Sequence, residues 1–124
     1  MPSMHWPTPL LSREIDRDRG PVLVIVEYQI KPENRDAFVA TIAALGAERR
    51  RDGAYRWGLV EDTAREGTFV ETFFLDSWLD HLRQHERVTN ADRAVQEAVR
   101  QFQTIGEPVV RHLLANEASM VSHE

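Results

Sequence analysis

Trp78, His81 and His85 are the first residues whose types and spacing suggest chemistry. On a helix, positions i, i+3 and i+7 share one face. A tryptophan with two histidines could line a pocket for an aromatic ligand, or supply a base near neutral pH. Trp78 as a core anchor with polar histidines at its edge is the competing reading. His81 and His85 also have the i, i+4 spacing of a metal pair, but no third ligand lies near them in sequence, so no metal is expected.

A second set consists of charges inside apolar strands: Glu27, Arg56, Glu71 and Arg111. A buried carboxylate has a raised pKa unless it is paired. Matched numbers of acids and bases favour cross-strand or cross-dimer ion pairs. If one pair is broken, the free carboxylate becomes a general-base candidate, and His85 or Glu71 is then the expected catalytic base. A third set is aromatic: Tyr28, Tyr55, Trp57, Phe73 and Phe74. Flat rings between a sheet and its helices suit a planar, quinone-like ligand, although rings at strand spacing also simply build cores. Tyr28, Trp57, Phe74, Trp78 and His81 are the expected ligand-binding residues. Arg49, Arg50 and Arg51 read as a solvated helix end.

The elements that must position these groups follow from hydrophobic periodicity. Residues 22–30 are the clearest strand. Val22, Val24, Val26, Tyr28 and Ile30 form one face, and Leu23 and Ile25 start the other, as in a central strand covered on both sides. A helix is expected over 33–51, with Phe38, Ile42 and Leu45 at helical spacing, acids in the first turn and arginines in the last. Asp52-Gly53 ends it. Strands follow at 54–62, with Tyr55, Trp57 and Leu59 on one side, and at 68–76, joined as a hairpin through 63–67. A second helical region starts at Ser77, breaks near Val88 and restarts, because Ser77 with Asp80 and Thr89 with Asp92 both resemble capping boxes. Val95, Val99 and Phe102 make its apolar stripe. Residues 109–115 form a last short strand.

That β-α-β-β-α-β order is the ferredoxin-like split unit of an α+β domain. Right-handed crossovers put both helices on one sheet face. The other face keeps large apolar side chains and calls for a partner, most economically a second copy in a twofold dimer. The domain is expected over 21–116, between an N-terminal arm or linker at 1–20 and a tail at 117–124. The arm's prolines break any helix there.

Composition narrows the functions. The 124 residues carry a formal charge of −5, which argues against nucleic-acid binding. With no cysteine, thiolate catalysis and disulfides are excluded. No apolar run approaches the roughly 20 residues of a membrane span, and no secretory signal is evident. Phosphate-binding loops and Ser-His-Asp motifs are absent.

From Gly20 through Ala115 the chain resembles the dimeric α/β-barrel domains related to antibiotic biosynthesis monooxygenases. More closely, the runs GPVLVIVEYQI, RRRDGAYRWGLVED, FVETFFLDSWLDHLRQHERVT and ADRAVQ are similar to a soluble domain at the C-terminus of certain bacterial major-facilitator transporters. The opening MPSMHWPTP is similar to the linker after the last membrane span in those fusions. The resemblance implies the fold, a homodimer and a cytoplasmic setting, at the cytosolic face of the inner membrane in such fusions. Related monooxygenases and haem-degrading enzymes use Trp and His in comparable regions. The haem-degrading members also use an early Asn that the 22–30 strand lacks, and no cofactor is expected. Three functions follow: a small-molecule-binding or regulatory accessory domain of an exporter, a cofactor-free monooxygenase acting on an aromatic or quinone-like substrate, or a purely structural dimerisation domain.

Overall fold

The computed structural model describes residues 19–79, 82–83 and 90–116. The order is β1 (Val22–Gln29), a 3-10 turn (Pro32–Asn34), α1 (Arg35–Arg51), β2 (Tyr55–Glu61), β3 (Thr68–Leu75), α2 (Asn90–Arg100) and β4 (Val109–Leu114). The four strands form one sheet in the order β2-β3-β1-β4. Every pairing is antiparallel. This is the ferredoxin-like α+β arrangement, with β1 and β3 central.

Local chemistry explains the boundaries. Pro32 opens the 3-10 turn, where its missing N–H costs nothing. Helix α1 stops two residues before Gly53, whose φ of 107° only glycine adopts freely. In β1 burial alternates without a break. Its even-numbered residues face the helices, with Val22, Val24 and Tyr28 fully buried. Phe38 from α1 anchors the core over them, with ring centroids 5.3 Å from Tyr28, 5.2 Å from Phe69 and 5.6 Å from Phe102. Val99 of α2 completes the layer.

One expectation needs correction. Tyr55, Trp57 and Leu59 do not share a side of β2. Tyr55 pairs with Phe74 but Gly58 pairs with Thr72, so two β2 residues oppose Phe73. Arg56 takes a φ of 53° in this bulge. An extra residue shifts the side-chain alternation by one. Tyr55 therefore faces away from the helices, whereas Trp57 and Leu59 pack against the core on the helix side.

The far sheet face carries Leu23, Ile25, Val70 and Phe74, all partly exposed, and the exposed Val60, Val109 and Leu113. Helical backbone occurs at 78–79 and 82–83 before α2. The expected break near residue 88 lies outside the described residues, as do Asp80 and Thr89 of the two expected capping pairs, the arm over 1–18 and the tail over 117–124.

Candidate functional site

Glu71 is the chemical centre of the described structure. It sits on β3 facing α1, in the row of helix-facing positions between Phe69 and Phe73. It is 0% exposed. A charge this deep must be neutralised and its oxygens satisfied. Arg49 Nε donates to Oε2 at 2.8 Å and its Nη2 to Oε1 at 3.0 Å. The Tyr28 hydroxyl donates to Oε1 at 2.8 Å. The Trp57 indole N–H donates to Oε2 at 2.8 Å. Each carboxylate oxygen thus accepts two hydrogen bonds.

The electrostatics follow from that geometry. Burial pushes the Glu71 carboxyl up, but the Arg49 charge and the donors from Arg49, Trp57 and Tyr28 hold it below the usual carboxylate range. Burial and the neighbouring carboxylate push the Tyr28 hydroxyl well above the usual phenol range. For Arg49, burial works against the charge but Glu71 more than offsets it, so the guanidinium stays charged. Glu71 is therefore an anion among donors, and a base role for it requires this pair to open.

The partner differs from the sequence expectation. Glu71 pairs with Arg49 at the end of α1, not with an arginine of a neighbouring strand. Arg49 is not a solvated helix end either. It is 6% exposed, with its guanidinium 4.8 Å from the Phe73 ring centroid. Its neighbour Arg50 is exposed and stacks 5.4 Å from the Trp57 ring centroid. Arg56 and Arg111 are exposed. Glu27 meets Arg65 at 3.5 Å.

Trp57 joins this buried network to a groove of about 300 Å³ on the helix side of the sheet. Its walls are Val39 and Ala43 of α1, Trp57 and Leu59 of β2, and Phe69 of β3. Arg35 and Glu61 close one end through a 3.2 Å ion pair. The indole is fixed from three directions. Glu71 holds its N–H, Arg50 stacks on its ring, and Gly46 leaves room for it. A Cβ on Gly46 would stand 2.7 Å from Trp57 Cε2. The groove is mostly apolar with one ion pair at its rim, the composition of a small-molecule site.

The model matching residues 1–120 is that of the transmembrane secretion effector family. The chain belongs to that family. This family member matches no curated protein. Its fold does recur in solved structures. A candidate antibiotic biosynthesis monooxygenase from Caulobacter crescentus is 22% identical, with a TM-score of 0.68, covering 82% of this chain and 94% of that one. Rv0793 from Mycobacterium tuberculosis is 23% identical, with a TM-score of 0.62 over 78% and 96% of the two chains. A conserved protein from Methanosarcina mazei is 15% identical, with a TM-score of 0.66 over 80% and 96%. At these identities the likeness establishes a shared fold.

The proposed site residues divide within this chain. Tyr28, Trp57 and Glu71 are brought together. Phe74 is not, because it lies on the opposite sheet face, stacked with Tyr55 at 5.7 Å. The expected aromatic set between sheet and helices is thus split by the bulge. Trp78 is buried in the core beside His112, with ring centroids 6.2 Å apart. His81 and His85 lie outside the described residues. Among the described residues no three His, Asp or Glu side chains gather as a metal site, and no helix is long and apolar enough to cross a membrane. Sequence reasoning missed Gly46 and Arg49. A glycine inside a long helical pattern was the available signal for a close approach.

Proposed function

We propose that this domain binds a small, flat, mainly apolar molecule in the groove between α1 and the β2–β3 hairpin. It would act as an accessory domain of a membrane secretion system, at the cytosolic face. One observation carries this reading. The Trp57 indole is held rigidly by Glu71, Arg50 and Gly46 while it also forms a groove wall. A rigid aromatic wall loses little entropy when a planar ligand stacks on it. Membership of the transmembrane secretion effector family supports the setting.

Thermal-shift titration with quinones, polycyclic phenols and aromatic antibiotics tests the proposal. At least one class should raise the melting temperature of the wild type. Ala43→Leu, which fills the groove from the exposed side of α1, should abolish that rise while preserving the fold. If no class stabilises the wild type, the groove is not a ligand site.

The likeness to candidate antibiotic biosynthesis monooxygenases supports a second reading, in which the bound molecule is an activated phenol or hydroquinone oxidised without a cofactor. In that reading His85 is the proposed base, or Glu71 if its ion pair opens. Oxygen uptake with an anthrone-type substrate, lost in His85→Ala, would support oxidation. Uptake at the uncatalysed rate in the wild type would leave binding alone. We further propose that two copies pair through their open sheet faces. A purely structural dimerisation role is the outcome if pairing occurs without ligand binding.

A further inference from the structure

The seam between α1 and α2 holds carboxyl and amide oxygens that the groove does not use. Glu48 lies in the last turn of α1 and is 7% exposed. Its Oε1 has no hydrogen-bond partner. Asp92, in the first turn of α2, lies close enough for the two carboxyls to hydrogen-bond. Gln96 follows one turn later on the same helix face. It is 8% exposed, and its Oε1 also has no partner.

Two carboxylates facing each other in a poorly solvated seam do not both keep their charge. The C-terminal end of α1 is the negative pole of its dipole and disfavours an anion at Glu48. Among the described residues, the other charges that reach Glu48 come from the same end of α1. Arg51 favours its carboxylate and Asp52 opposes it.

We propose that a proton on Glu48, held against Asp92, latches α2 to α1, and that the latch loosens as pH rises toward neutrality. Burial first, and Asp92 second, raise the Glu48 carboxyl from its ordinary value of 4.5 to about 7. The sign follows from linkage. A group whose pKa is raised on folding contributes stability that is complete below its unfolded value. That stability is lost as pH rises through the folded value. The working window is therefore about pH 4.5 to 7, with α2 held less firmly above it. The device is independent of what occupies the groove.

The test follows melting temperature and amide exchange from pH 5 to 9 in the whole chain, for the wild type, Glu48→Gln and Asp92→Asn. Wild-type melting temperature should fall between pH 5 and 8. Glu48→Gln should lose most of that slope and exceed the wild type at pH 8, and Asp92→Asn should lose only part of it, because burial alone still raises the Glu48 carboxyl. Opening in residues Asn90–Arg100, corrected for intrinsic exchange, should rise about tenfold between pH 6 and 8 in the wild type and not in Glu48→Gln. Carbon-13 NMR of the Glu48 carboxyl in the wild type gives a readout that does not depend on the variants folding. A midpoint near 7 supports the latch and one near 4.5 overturns it. Parallel pH profiles in wild type and Glu48→Gln also overturn it. So does stabilisation at pH 8 by millimolar calcium or magnesium that needs Glu48, because the oxygens would then hold a cation rather than a proton.

Discussion

Arg49 and Glu71 meet across the helix–sheet interface with two nitrogens on two oxygens, at 2.8 and 3.0 Å, and both side chains are almost wholly buried. Removing the cation alone strands the anion. Arg49→Met should therefore lower stability by about 3–5 kcal/mol, the range for breaking a buried pair from one side. The double variant Arg49→Met/Glu71→Leu should recover much of that loss, although Tyr28 and Trp57 then lose their acceptor. Urea denaturation followed by circular dichroism measures both. Equal losses in single and double variants would mean the pair is not coupled.

The pH dependence of that pair has the opposite sign to the latch. The Glu71 pKa is lowered on folding, so its contribution is present above the unfolded carboxylate value of about 4.3 and is lost as pH falls through the lower folded value. Acid should thus unfold the domain below pH ~4 through Glu71. An acid titration of ellipticity checks this. In Glu71→Gln the acid limb of the stability curve should flatten, from a lower starting stability.

Gly46 and Trp57 are a packing pair. A methyl group at Gly46 would stand 2.7–2.9 Å from three indole carbons. The added carbon lies against a ring that Glu71 and Arg50 hold in place. Gly46→Ala should therefore cost about 1–3 kcal/mol through overpacking, despite alanine's better helix propensity. It should also red-shift Trp57 emission in a Trp6→Phe/Trp78→Phe background. A gain in stability would mean the indole moves freely.

These pairs mark where the sequence was legible. The strand pattern of Val22, Val24, Val26 and Tyr28 and the helical stripe of Phe38, Ile42 and Leu45 are local signals. Signals of this kind located β1, α1, β2, β3 and β4 to within about two residues. The site is less local. Nothing in the run of three arginines says that Arg49 turns inward while Arg50 lies over an indole. That choice depends on Glu71, a neighbour 22 residues away. The bulge at Arg56 is likewise invisible to a period-two reading, because one extra residue leaves the composition of β2 unchanged. It nevertheless separates Tyr55 and Phe74 from Trp57 and divides the expected ligand set.

The bulge also bears on pairing between copies. By placing Tyr55 on the open face, it adds a ring against Phe74, with centroids 5.7 Å apart and planes 23° apart. That stacked pair extends the apolar patch of Leu23, Ile25 and Val70 toward the β2 edge. Ile25 is near its middle, on a central strand between Thr72 and Arg111. A charge placed there on each copy would meet its own kind in a twofold interface, and burying unpaired cations is costly. Ile25→Lys should therefore convert a dimer to a monomer on light scattering coupled to gel filtration. The side chain is only partly buried in the single chain, so the fold itself should lose little. Arg111→Ala, at the exposed neighbouring position on β4, is the control for a change of surface charge alone. A wild type that is monomeric at micromolar concentration would end the pairing proposal. An Ile25→Lys variant that stays dimeric would move the interface to another surface.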